Sequence, residues 1–192
     1  MRVIAGTLKG RRLSAPSWPG LRPTSDRLRE TLFNVLAPRT AGARVIDLYA
    51  GTGALGIEAH SRGAVAVVFV EHDRRALGLI EENLRHCEIS AGSGGSAAPR
   101  GCAIIRATAV RALETFRGRA DFTPFDIVLL DPPYDQAPDV ALEGMDAVVA
   151  PQGVVVLEHA TRTPAPERSG RLVKYRDLPS GDSTLSFYRI PD

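Results

Sequence analysis

From residue 44 onward the chain alternates short apolar runs with longer stretches in which apolar residues recur every three or four positions. The runs ARVIDLY, AVVFVE, CAIIRA, FDIVLLD and GVVVLEH are continuous and rich in β-branched residues, the pattern of strands buried on both faces. The stretches between them predict helices from about Gly53 to Arg62, Asp73 to Glu88, Ala109 to Phe116 and Pro138 to Val149. Strands alternating with helices imply a parallel sheet covered on both sides. The closing segment, LVKYRDLPSGDSTLSFYRI, reads as two strands around a tight turn at Pro179-Ser180-Gly181-Asp182. So short a connection forces those two strands antiparallel. The expectation is an α/β chain with a doubly wound, mostly parallel, seven-stranded sheet whose terminal strand is reversed.

The front of the chain follows another rhythm. RVIAGTLKGRRL predicts two short strands around a turn at Leu8-Lys9-Gly10, an N-terminal β-hairpin extension. SAPSWPGLRP, rich in proline and glycine, reads as an extended connector, in which Trp18 either stacks on a base or anchors the connector to the body. A helix then begins after Thr24 or Ser25, either of which can cap it, with Asp26 in its first turn. Leu28, Leu32, Val35 and Leu36 give it one buried face, and Pro38 is expected to stop it. The chain thus divides into a basic hairpin and connector over residues 1–20 and a main domain over 21–192. Between the second helix and the third strand, the Gly/Ser-rich insert at 90–101 reads as a mobile surface loop without chemistry.

Charge sharpens this division. Residues 1–44 carry nine basic side chains against two acidic ones, a net +7, whereas the remainder carries 15 against 20, a net −5. A basic front on an acidic body points to a polyanionic partner met through the N-terminus, the bland alternative being a solvated surface that binds nothing. Other classes fall away. No apolar run approaches the roughly 18 residues of a membrane span, and the N-terminus lacks a signal peptide's apolar core. Cys87 and Cys102 form no CxxC pair, and His60, His86 and His159 have no partners at metal spacing, so neither disulfide nor metal is expected. A cytoplasmic protein with plain thiols and a hydrophobic content of 44% needs neither.

The candidate chemistry sits where the apolar runs end, which in open parallel sheets is where ligands bind. DLYAGTGALG leads from the first strand into a helix, and Gly51 and Gly53 clear side chains from a sharp turn beside the helix N-terminus. Asp47 precedes this turn as a ligand contact or a local cap. Glu71 closes the second strand 20 residues after Gly51, where an acid can accept both hydroxyls of a ribose; the alternative is a surface acid. Asp131-Pro132-Pro133-Tyr134 closes the fourth strand. An acid, two rigid prolines and an aromatic ring make an oxygen-rich clamp with a flat wall, suited to the exocyclic amine of a planar base, or a mere strand-ending turn.

DLYAGTGALG, VEHD and DPPY together resemble the Rossmann-like S-adenosylmethionine-dependent methyltransferases that act on exocyclic amines of bases. With RVIAGTLKGRRL and GLRPTSDRLRETLFNVL, nearly the whole chain is similar to the bacterial small-subunit (16S) ribosomal RNA guanine-N2 methyltransferases. The resemblance implies that Asp47, Tyr49, Ala50, Gly51 and Gly53 surround S-adenosylmethionine, that Glu71 holds its ribose, and that His72 or Asp73 flanks its adenine. Thr108-Ala109 stands where the family usually has Asp or Asn, and the threonine hydroxyl is expected to serve instead. Asp131 and the Pro132 carbonyl are expected to accept the target amine's hydrogens, Pro133 to stiffen them and Tyr134 to stack on the base. Arg2, Lys9, Arg11 and Arg12 are expected to grip RNA phosphates, while Arg22, Thr24, Arg27 and Arg29 close over the cofactor or the RNA strand unless they only cap and brace a helix. The implied partner is ribosomal RNA, within a small subunit or an assembly intermediate, for a monomeric enzyme without membrane or metal. Two other functions are an adenine-N6 methyltransferase on DNA or RNA, which shares DPPY, and a non-catalytic RNA-binding assembly factor.

Overall fold

The computed structural model describes residues 1–18, 24–93, 101–133 and 135–191. Its frame is one nine-stranded sheet: β1 (Arg44–Asp47), β2 (Ala66–Glu71), β3 (Ala91–Ser93), β4 (Gly101–Arg106), β5 (Phe125–Leu130), β6 (Val149–Ala160), β7 (Arg168–Ser169), β8 (Leu172–Ser180) and β9 (Ser183–Arg189), ordered β3-β4-β2-β1-β5-β6-β9-β8-β7. β1 to β6 pair in parallel, and β9 runs antiparallel between β6 and β8. The reversed last strand is therefore inside the sheet rather than at its edge. Seven strands are those expected from the apolar runs. The two extra ones are the two-residue β7 and the three-residue β3. β3 takes the start of the Gly/Ser insert into the sheet edge beside β4, so that part is a strand and not a loop; residues 94–100 lie outside the described part.

The strands are apolar throughout because both faces are covered. Successive residues alternate between two cores: Val67 and Phe69 of β2 face one, Val68 and Val70 the other. The first core is closed by α1 (Asp26–Thr40), α2 (Ala54–Ser61) and α3 (Arg74–His86), the second by α4 (Ala109–Arg117) and α5 (Pro138–Leu142). α2 lies tight on the sheet, since a Cβ at Gly56 would fall 2.2 Å from the Phe69 ring.

Three expectations change. Pro38 does not stop α1; it sits inside the last turn, where it forgoes a single bond to the carbonyl four residues back, and the helix runs on to Thr40. The helix expected to reach Val149 ends at Leu142, followed by a 3₁₀ turn over Met145–Ala147 and then β6. Gly144, in left-handed conformation at φ 75°, marks the break. The N-terminal hairpin is real as a reversal but not as two strands: among the described residues its ladder is a single bridge, Arg2 to Arg12. Its arms share the backbone bonds Val3 N–H to Arg11 (3.0 Å), Gly10 N–H to Val3 (2.9 Å) and Leu13 N–H to Met1 (3.0 Å), and the segment is further held by helices. The Glu58 carboxylate on α2 accepts the N–H groups of Ile4 (2.8 Å) and Ala5 (3.0 Å), and Val3 and Leu13 are buried in the first core. The Asn83 side chain on α3 accepts from Ser14 N (2.7 Å) and donates to the carbonyls of Ser14 (3.2 Å) and Thr52 (2.8 Å). Polar groups on helices replace the strand partner this segment lacks.

Candidate active site

The chain order reverses beside β1: successive strands step outward through β2 to β4, then resume on the other side with β5. At that switch, above the carboxyl ends of the strands, lies a cleft of about 970 Å³. Its floor is built by one repeated feature. β1 and β2 end in an acid, Asp47 and Glu71, β5 runs straight into Asp131, and β6 carries Glu158 two residues before its end.

The turn after β1 is shaped by backbone constraint. Ala50 N–H bonds to the Val70 carbonyl at 3.0 Å, and Gly53 N–H returns to Ala50 at 2.6 Å. Gly51 (φ 54°) and Gly53 (φ 77°) take left-handed conformations that let the chain fold over into α2. Glu71 fixes this turn to β2, since its carboxylate accepts Gly51 N–H at 3.0 Å together with the N–H groups of His72 (2.7 Å) and Asp73 (2.8 Å). The His72 ring nitrogen lies 3.2 Å from the same carboxylate.

Asp47 is fully buried. One oxygen accepts Gly56 N–H at 3.1 Å, and the other has no hydrogen-bond partner among the described residues. Burial pushes its carboxyl up to about 7, with the Asp131 and Glu71 charges adding to the shift against the Gly56 hydrogen bond. Burial likewise raises Asp131 to about 6, opposed by the Thr24 hydroxyl, which donates to it at 2.8 Å. Across the cleft, Gln136 donates to the Tyr49 hydroxyl at 2.7 Å and so ties the loop after β5 to the turn after β1.

The cleft gathers most of the expected cofactor residues, lined as it is by Tyr49, Ala50, Gly51, Glu71, His72, Thr108 and Ala109. Thr108 also caps α4, accepting from Arg111 N–H at 3.4 Å. Asp47 and Gly53 are not on its wall: Asp47 sits behind the turn, and Gly53 backs onto Ile57 and Ile80. Asp131, Pro132 and Pro133 line the other end, while Tyr134 lies outside the described residues.

The expected RNA contacts are dispersed. Thr24 is in the cleft, and Arg22 lies outside the described residues. Arg2, Lys9, Arg11, Arg12 and Arg27 are exposed. Arg11 bonds to the His86 carbonyl at the far end of α3 and pairs with Glu88, well away from the cleft. Arg29 departs from expectation. It is 0% exposed, and its guanidinium donates to the Arg2 carbonyl and to Asp26 beside Glu58, so it braces the N-terminal segment and touches no solvent or RNA.

Several lining residues were not anticipated: Glu158, Gln136, and the β8–β9 hairpin tip from Ser180 to Ser183. Glu158 carried the same signal as the other three acids, a carboxylate closing an apolar run. The hairpin tip carried none beyond its turn residues. Trp18 and Arg75 also line the cleft and stack at 5.1 Å, which anchors the connector to the start of α3.

Strand order, reversed last strand and rim cleft are those of the Rossmann-like methyltransferases. The structure superposes on the solved "Putative methyltransferase yhhF" of Escherichia coli with a TM-score of 0.77 and 29% identity, over 100% of this chain and 99% of the other. The chain belongs to the family described as "Conserved hypothetical protein 95", whose profile matches residues 1–189. It is 35% identical over 192 residues to "Putative rRNA methyltransferase YlbH" of Bacillus subtilis (strain 168), covering 98% of both chains. It is 40% identical over 134 residues to "Ribosomal RNA small subunit methyltransferase D" of Escherichia coli (strain K12), a match spanning 70% of this chain and 60% of that protein.

Proposed function

We propose that this methyltransferase moves a methyl group from S-adenosylmethionine to the exocyclic N2 amine of a guanine in small-subunit ribosomal RNA. The observation that carries this is the separation of charge. Among the described residues the cleft is lined by six carboxylates, Glu71, Asp73, Asp131, Asp135, Glu158 and Asp182, against one arginine, Arg75. Such a wall repels a polyphosphate nucleotide and favours a cationic donor. The basic side chains lie instead on the N-terminal segment and α1, outside the cleft, where a nucleic-acid backbone is met.

The residues present suit S-adenosylmethionine. Glu71, with one oxygen serving Gly51 and the other His72 and Asp73, retains lone pairs for ribose hydroxyls. The Gly51 turn lets a ligand lie against backbone, and Thr108 offers a hydroxyl on the opposite wall. When bound, the donor supplies an electrophilic methyl on a positively charged sulfur. The chain's own part is positioning. Asp131 and the Pro132 carbonyl accept the hydrogens of an amine whose lone pair is otherwise delocalised into the ring, and so turn that lone pair toward the methyl. Asp131 also offsets the positive charge that develops on nitrogen. Tyr134 stacks on the base. A base held in a duplex cannot reach the cleft, so the target is unpaired or flipped, as in a folded RNA or a ribosomal particle.

The test is methyl transfer from tritiated donor to stripped RNA, small ribosomal subunits or duplex DNA, followed by nucleoside analysis. N2-methylguanosine in the ribosomal substrate is the expected product. Label in DNA alone, or as methyladenosine, supports the adenine-N6 enzyme instead.

A further inference from the structure

We infer that Thr24 is a placeholder for the target amine, donating its hydroxyl hydrogen to Asp131 until the substrate's N–H takes over that bond. This inference rests on the function proposed above and names a positioning residue within it.

Thr24 and Asp131 are 107 positions apart in the chain, yet their side chains meet at 2.8 Å inside the cleft. The four acids at the strand ends are held differently. Asp47 takes the Gly56 N–H and Glu71 takes three backbone N–H groups, bonds that cannot break without unmaking a turn. Asp131 is held by a side-chain hydroxyl, and among the described residues no other donor reaches it. That bond can be exchanged cheaply. Thr24 immediately precedes Ser25, whose side chain caps α1 by accepting Leu28 N–H, so the backbone beside Thr24 is anchored. Rotation about one side-chain bond withdraws the hydroxyl.

The surroundings explain why a placeholder is useful. Asp131 interacts with Asp47 of β1 and shares the cleft wall with Glu71 of β2 and Glu158 of β6, the last sitting one position beyond the Leu130–Leu157 pair. Without a donor, a carboxylate buried in this cleft is driven toward protonation and loses the acceptor oxygen that the reaction needs. The Thr24 hydroxyl opposes this in the absence of substrate. It also makes base entry selective. A base edge that presents an N–H to Asp131 replaces the bond it breaks, whereas an edge that presents a carbonyl leaves the carboxylate without a donor.

The experiment compares the full chain with Thr24→Val, which keeps the shape without the donor, and Thr24→Ser, which keeps the donor. In the absence of RNA, carbon NMR of aspartate carboxyls is expected to show the Asp131 midpoint roughly one pH unit higher in Thr24→Val and unmoved in Thr24→Ser. At pH 8, with undermethylated small ribosomal subunits, Thr24→Val is expected to lower KM about tenfold with kcat within about twofold, because no bond must be surrendered on entry. Thr24→Ser should behave as the parent. An unmoved Asp131 titration removes the contact and the inference, whatever the activity. A KM that is unchanged or raised, or a loss confined to kcat, overturns the placeholder role. Failure of the parent chain to methylate any RNA, with the titration as expected, instead sinks the functional reading and takes the role of Thr24 down with it.

Discussion

Asp131 is the residue on which the proposed chemistry turns, and its environment makes a claim about pH. Burial raises its carboxyl to about 6, so it is ionised at neutral pH and protonated below. As pH falls through about 6 the amine loses its charged acceptor, and kcat/KM is expected to fall with it in a pH–rate profile. Asp131→Ala is expected to cut transfer at least about a hundredfold while leaving RNA affinity intact, as measured by filter binding. Asp47 makes a claim about stability. Its folded carboxyl, raised to about 7, lies above the ordinary value of 3.8, so its contribution is full at acid pH and is lost as pH rises through 7. Asp47→Asn is therefore expected to raise Tm at pH 8.5 by about 5 °C, and to raise it much less at pH 5. At this scale the sequence was readable wherever an acid closed an apolar run, which marks Asp47, Glu71 and Asp131. GVVVLEH carries the same mark at Glu158. Arg29 was not readable. It falls on the apolar face of α1 with Leu32, Phe33 and Leu36, and no local pattern shows the Arg2 carbonyl, Asp26 and Glu58 that receive its charge there.

Among the elements, the N-terminal segment gains its order from helices. Asn83 joins Ser14 of that segment to the Thr52 carbonyl in the turn on the cleft wall. Asn83→Ala strands buried donors and acceptors at about 1–3 kcal/mol. It is expected to lower Tm by several degrees in calorimetry and to weaken donor binding through the loosened turn. The parallel strands were legible because their two-sided burial writes uninterrupted apolar runs, and the β8–β9 hairpin because Gly181-Asp182 fits a two-residue turn between Ser180 and Ser183. The hairpin at residues 1–13 was half legible. Its turn showed, but Glu58 and Asn83, which hold it to the helices, are connected to it by no local pattern. Pro38 misled for a plain reason: it forgoes one intrahelical bond, and the helix runs only two residues past it, to Thr40.

For the molecule as a whole, the proposed function rests on the separation of an acidic cleft from a basic front, with the donor in the first and RNA phosphates on the second. Lys9 and Arg12 are exposed and make no ion pair among the described residues, so they are available to phosphates. Replacing both with Ala is expected to weaken binding of small subunits, with kcat at saturation unchanged. The dependence of log K on log salt should flatten by about 0.7–0.9 for each phosphate no longer neutralised. Lys9 stands at the hairpin turn, next to the Thr7–Ser61 contact at the end of α2 remote from the cleft. Engaging it requires an RNA surface broader than one loop, as a particle offers. What the sequence withheld at this scale was the distance between its motifs: the basic block reads as one patch, and the fold spreads it from the rim to the far end of α3.

Donor binding, base positioning and the roles of Thr24 and Asp131 all require the strand-end cleft to hold a sulfonium nucleoside. Titration calorimetry of the full chain with S-adenosylmethionine, run at two temperatures so that a vanishing enthalpy cannot hide binding, tests this most directly. One equivalent bound, with affinity cut by Glu71→Ala in a chain that remains folded, is the expected result. No binding to the intact parent chain at either temperature would contradict it.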